Sequence, residues 1–164
     1  MGLKFVTRQK RLNFNPGDQF MYSNTGYMLL AEIVARVSGQ TFAEFTQERI
    51  FTPLGMTNSR FVDDHHVIVK NYAASYSPPV EGTYYEYPVN FSSVGEGGLY
   101  TTVEDIVKWD QNFYDITVGS PSILDKMHQK GILNNGQLSS MSAGLIVTDY
   151  KGRTLVYHGG DIAG

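Results

Sequence analysis

The sequence predicts an α+β chain, a mainly helical body followed by one β-hairpin. Three observations carry that reading. Between Thr25 and Ser38, the apolar residues Tyr27, Leu30, Ala31, Val34 and Val37 recur every three or four positions, the spacing of one helix face. The pairs Thr41/Glu44 and Thr101/Glu104 each have the spacing of a capping box at a helix start. Near the end, "GLIVTDY" and "RTLVYHG" are rich in β-branched residues and flank Lys151-Gly152, the pattern of a hairpin.

Taken in order, the first helix has Asn24 or Thr25 as its N-cap and Gly39 as a left-handed stop. A second helix opens at Thr41 and runs to about Phe51, where Pro53 and Gly55 end it. From Phe61 to Tyr100 no periodicity holds. Pro78, Pro79, Gly82 and Pro88 break any regular element, and Tyr72, Tyr76, Tyr84, Tyr85 and Tyr87 crowd the segment. A third helix follows "GEGGLYTT", with Val103, Ile106, Val107 and Phe113 as its apolar face. A fourth has Ser120 as cap, Pro121 at its first position and Gly131 as stop. The expected organisation is a helical lobe over residues 1–140, with an irregular loop at 61–100, and a β-hairpin over 141–164.

Composition excludes several classes. With 41% hydrophobic and 18% charged residues, the chain is too apolar for a disordered protein. A net charge of -3, with Lys and Arg scattered, offers no basic stripe to follow a phosphate backbone, so no nucleic-acid partner is expected. The absence of cysteine removes disulfides, thiolate metal sites and cysteine nucleophiles together. No apolar run reaches membrane-spanning length, and Met1-Gly2-Leu3-Lys4 does not read as a signal peptide.

Single motifs for chemistry are weak. There is no Gly-x-Ser-x-Gly elbow and no Ser-x-x-Lys, since Ser122 and Lys126 stand four apart. The run "VDDHHV" contains zinc-type ligands, but it lacks a His-x-x-x-His spacing and adjacent side chains usually point apart, so it reads as a solvated polar loop. Gly95, Gly97 and Gly98 lack the strand and the Gly-Lys-Ser/Thr of a phosphate loop, and read as a tight turn packed close to a neighbour. Trp109 reads as core. Tyr22 and "YHGGDIAG" remain. A tyrosine works as a base only when nearby positive charge lowers its pKa, and Gly159-Gly160 would let a substrate backbone approach and find free N–H groups.

In order along the chain, Pro16-Gly17, Tyr22-Ser23-Asn24, Pro53-Leu54-Gly55-Met56, "GEGGLYTTVEDIVKW" and His158-Gly159-Gly160 resemble the serine β-lactamase-related family. That family includes class C β-lactamases, D,D-peptidases, D-aminopeptidases and esterases. The resemblance implies the mainly helical lobe of the β-lactamase/D,D-peptidase-like fold, plus a hairpin from its antiparallel sheet. It gives Tyr22 the part of a proton shuttle to the nucleophile. Asn24 becomes a substrate-binding amide, and His158, Gly159 and Gly160 the third motif on the substrate side of the cleft. The N–H of Asp161 would be one oxyanion donor. It implies no cofactor, a small-molecule or peptide substrate, and a bacterial exported or cell-envelope location.

Two features depart from the family pattern. The Ser-x-x-Lys that supplies nucleophile and lysine is missing, and the sheet lacks strands beside the hairpin. The chain is therefore expected to be an internal fragment of a serine hydrolase, inactive alone, with a hairpin edge open to pairing with a second copy. The alternative is a non-catalytic binding or scaffold protein that keeps the cleft. Histidine at position 158, where penicillin-recognising members often have lysine, leans the substrate toward an ester or D-amino peptide rather than a β-lactam.

Overall fold

The computed structural model describes residues 2–161. Its elements are α1 (Gly2–Val6), α2 (Asn24–Ser38), α3 (Phe42–Thr46) with a π-helical turn (Gln47–Phe51), β1 (Arg60–Phe61), β2 (Leu99–Tyr100), α4 (Val103–Gln111), α5 (Pro121–His128), β3 (Ile146–Tyr150) and β4 (Arg153–Tyr157). Short antiparallel pairs beside a larger share of helix make this the α+β architecture the sequence predicts. The chain divides into two compact units. Among the described residues one contains 2–23 and 110–159, and the other 24–109 and 160–161.

In the unit holding α2, local signals are obeyed closely. Gly39 takes φ +74 and donates its N–H to Ala35, closing α2 as a left-handed stop. Thr41 Oγ1 accepts from the Glu44 N–H at 3.1 Å, while Glu44 Oε2 accepts from the Thr41 N–H at 2.8 Å, a complete capping box on α3. These bonds favour the charged carboxylate, so Glu44 is held below the usual range, the Thr41 N–H being the main cause. The core of the unit forms where Phe61 meets Phe42 at 4.8 Å and Phe51 at 5.9 Å between ring centroids, with Ala31 and Met56 also buried.

The segment without periodicity is a closed loop. β1 and β2 pair Arg60 with Tyr100 and Phe61 with Leu99, so the chain leaves and returns at neighbouring points. Inside it, Val80 and Thr83 exchange backbone hydrogen bonds across Glu81 (φ 50) and Gly82 (φ 79). Two left-handed residues in succession make a tight hairpin turn there, one the sequence reading passed over. Gly95 fulfils the expectation of close packing. It takes φ +108, and a Cβ there would lie 2.6 Å from the Tyr27 carbonyl oxygen on α2.

Several expectations change. α2 begins at Asn24 itself, so Asn24 lies inside the helix it was expected to cap. On α4 the capping residue is Thr102, whose Oγ1 accepts from the Asp105 N–H at 3.3 Å, and Thr101 instead bonds Ser59 Oγ at 2.7 Å. The expected apolar face of α4 is exposed at Val103, Ile106 and Val107, and the fully buried residue is Asp105. Burial alone would raise its pKa and is the largest single influence. It is outweighed by Lys108 at 2.8 Å, the Asn58 N–H at 2.7 Å and Ser59 Oγ at 2.9 Å, which hold the carboxyl below its usual range. A polar anchor replaces an apolar stripe because three donors converge on one carboxylate. Trp109 is half-buried rather than core.

In the other unit, Asn112 is buried and organises the turn after α4. Its Oδ1 accepts from the Thr117 and Val118 N–H groups at 2.9 and 2.8 Å, and its Nδ2 donates to the Val118 carbonyl at 2.9 Å. α5 has the cap the sequence predicts, Ser120 accepting from the Ile123 N–H with Pro121 in the first turn. It ends at His128 rather than at Gly131, whose carbonyl accepts from the Ser139 N–H. β3 and β4 run antiparallel from Ile146↔Tyr157 to Tyr150↔Arg153. They are joined by Lys151 (φ 53) and Gly152 (φ 76), the two-residue turn expected of the Lys-Gly pair.

Candidate active site

Tyr22 is carried by an irregular strand of chain after the Pro16-Gly17 turn. Asn134 pins that turn: its N–H donates to the Gly17 carbonyl at 2.9 Å, and its Nδ2 donates to the Pro16 carbonyl and to Asp18 Oδ1 at 3.0 and 2.8 Å. Gly17 is required here. Its φ is +85, and a Cβ would lie 2.4 Å from Asn134 Oδ1. The amide bond from Asn134, then that from Asn15, lowers the Asp18 carboxyl below the usual range, so the clamp carries charge at neutral pH.

His158 arrives from the opposite end of the sequence. It follows Tyr157, the last residue of β4, so the hairpin fixes where its ring begins. The Tyr22 and His158 rings lie 5.8 Å apart between centroids, tilted by 36°, and both residues are exposed. The Nδ1 of His158 contacts the Gly159 carbonyl, which can only accept. Nδ1 therefore holds the proton in that contact, and Nε2 is left as an acceptor. A phenol beside an imidazole with a free lone pair can pass or hold a proton.

Of the six residues singled out from sequence, the structure brings Tyr22, His158 and Gly159 together in one unit. Asn24, the first residue of α2, belongs to the other unit with Gly160 and Asp161, and all three are exposed. A Cβ at Gly159 or Gly160 would meet nothing within 4 Å, so space beside this backbone is open. The expected strand end at "YHGG" is shorter than the sequence suggested, since β4 stops at Tyr157.

The reading of "VDDHHV" as side chains pointing apart does not hold. The His65 and His66 rings lie 4.0 Å apart between centroids, tilted by 36°, in a turn closed by the Val67 N–H to the Asp64 carbonyl at 3.0 Å. In the same unit the irregular segment shapes a cavity of about 410 Å³, lined by Arg60, Val62, Tyr72, Phe91, Leu99 and Tyr100 among others. The glycine-rich loop beside it also holds a carboxylate that sequence reading missed. Glu96 Oε2 is enclosed with no hydrogen-bond partner among the described residues, while its other oxygen accepts from Ser93 Oγ.

These elements are those of the β-lactamase/D,D-peptidase-like fold. Against solved structures, the chain superposes on the D-amino acid amidase from Ochrobactrum anthropi SV3 complexed with D-phenylalanine, with a TM-score of 0.77 at 25% identity, covering 99% of this chain and 50% of that one. It also superposes on the octameric penicillin-binding protein homologue from Pyrococcus abyssi, with a TM-score of 0.75 at 30% identity, covering 87% of this chain and 33% of that one.

A family model described as Beta-lactamase matches residues 5–164, and the chain belongs to that family. Among curated relatives, it is 29% identical to penicillin-binding protein 4* of Bacillus subtilis (strain 168), over 90% of this chain and 36% of the relative. It is 28% identical to a D-aminopeptidase of Gluconobacter oxydans (strain 621H), over 98% of this chain and 30% of the relative. The chain thus spans about a third of the length of these relatives.

Proposed function

We propose that Tyr22 and His158 line the substrate cleft of a serine acyl-transfer hydrolase, with Tyr22 on the proton path of the nucleophile. The observation that supports this is their ring contact at 5.8 Å, made by residues from opposite ends of the sequence. In the same reading Asn24 hydrogen-bonds substrate, Gly159 and Gly160 receive its backbone, and the N–H of Asp161 is an oxyanion donor. The substrate is an ester or D-amino peptide rather than a β-lactam. Histidine at 158 supports this, because a neutral imidazole attracts a carboxylate less than an ammonium does. The D-aminopeptidase among the relatives points the same way.

The 164 residues contain no Ser-x-x-Lys. Without that serine no acyl-enzyme forms, and without that lysine Tyr22 lacks the cation that would make it a base. The chain alone is therefore inert. Intact-mass measurement after incubation with a fluorophosphonate, or with penicillin, should show no adduct, whereas a stoichiometric adduct on any serine would overturn this. The open reading frame containing the chain tests the hydrolase reading separately. A Ser-x-x-Lys encoded upstream supports it; an uninterrupted frame without one favours a binding protein that keeps the cleft.

Among the described residues the β3–β4 hairpin forms a two-stranded sheet, and an open strand edge offers backbone groups that a second copy can meet. Light scattering after size exclusion should show concentration-dependent dimer. A clean monomer at high concentration would count against pairing.

A further inference from the structure

We propose that Asp64, His65 and His66 bind one divalent first-row transition-metal ion, a site separate from the Tyr22–His158 pair. One donor atom from each of the three residues can be chosen so that all lie within 4.8 Å of one another. Metal bonds of about 2.1 Å put neighbouring donors roughly 3.4 Å apart in a tetrahedral site. Small rotations of three exposed side chains close the difference.

The existing contacts already gather the donors. His66 Nδ1 lies 2.7 Å from Asp64 Oδ1, so an ion that replaces the proton between them meets a nitrogen and an oxygen donor together. His65 Nδ1 lies 2.7 Å from Ser92 Oγ, which also accepts from the His65 backbone N–H at 3.1 Å. His65 thus has one ring nitrogen held by an oxygen partner, the arrangement that orients a metal-ligating histidine. The turn at Asp64–Val67 brings the rings side by side, which is what the bare sequence spacing did not provide. Imidazole donors with one carboxylate suit Zn²⁺, Ni²⁺ or Cu²⁺ rather than Mg²⁺ or Ca²⁺.

Calorimetric titration of the tag-free chain with ZnCl2 tests this. The expected result is saturable binding of one ion per chain. His65→Ala and His66→Ala should each weaken it at least tenfold, and Ser92→Ala about tenfold through loss of orientation. His128→Gln, in the other unit, should leave it unchanged. Nitrogen NMR of the histidines supplies a readout independent of variant folding: the His65 and His66 ring-nitrogen signals should shift on adding zinc. No saturable binding at millimolar zinc, undiminished binding in the His65→Ala/His66→Ala double variant, or shifts confined to His128 and His158 would each overturn the proposal.

Discussion

Asp105 and Lys108 form an ion pair at 2.8 Å across one turn of α4, with the carboxylate fully buried and the ammonium partly in water. Lys108 Nζ also donates to the Gly55 carbonyl, and the carboxylate accepts from Asn58 and Ser59. One side chain therefore ties α4 to the turn that follows the π-helical segment. Asp105→Ala removes the acceptor that the three donors share and should cost about 3 kcal/mol. Urea unfolding followed by Trp109 fluorescence measures it, and an unchanged midpoint would contradict the anchor.

The same residue sets a pH dependence. Its folded pKa is lowered, so its contribution is fully present above the unfolded carboxylate value and is lost as pH falls through the lower folded value. Stability should decline below about pH 4. The decline should be shallower in Asp105→Asn, whose side chain does not titrate. Equal acid slopes in the two proteins would show that Asp105 is not the group responsible.

Gly95 sits where a side chain cannot. A Cβ would meet the Tyr27 carbonyl oxygen at 2.6 Å and the Ala31 Cβ at 2.8 Å, and φ is +108. Gly95→Ala should destabilise its unit by about 2–3 kcal/mol, through overpacking and backbone strain together. Gly136→Ala is the contrasting variant, with φ also positive at +83 but open space, and should cost less. Chemical unfolding of both variants distinguishes crowding from strain.

Asn112 satisfies three backbone groups of residues 117 and 118 from a buried position. Asn112→Ala should cost about 2–3 kcal/mol. Hydrogen exchange at the Thr117 and Val118 amides is the sharper measurement: both should lose protection, while amides of α2 keep theirs. Retained protection at 117 and 118 would argue against this role.

Thr41→Ala removes one side of the capping box on α3 and should cost about 1 kcal/mol. Glu44 would then lose its bond to the Thr41 hydroxyl, so its pKa should rise toward the ordinary value. Carboxyl-carbon NMR titration of Glu44 checks it.

What the sequence alone determined is local. The capping box at Thr41/Glu44, the Ser120-Pro121 start, the Gly39 stop and the Lys151-Gly152 turn each follow from residues within four positions of one another, whose backbone preferences need no distant partner. The ordered landmarks also marked the family and drew attention to Tyr22 and His158. Only the tertiary structure decided what those residues touch. The Tyr22–His158 contact, the Gly17–Asn134 clamp, the burial of Asp105 beneath Asn58 and Ser59, and the hold of Ser92 on His65 all join distant parts of the chain. Contacts of that kind leave no period in the sequence, because chain folding rather than spacing sets the distance between their members. For the same reason α4 hides a carboxylate where periodicity asked for an apolar face: burial follows the donors a residue meets, and those donors belong to another segment.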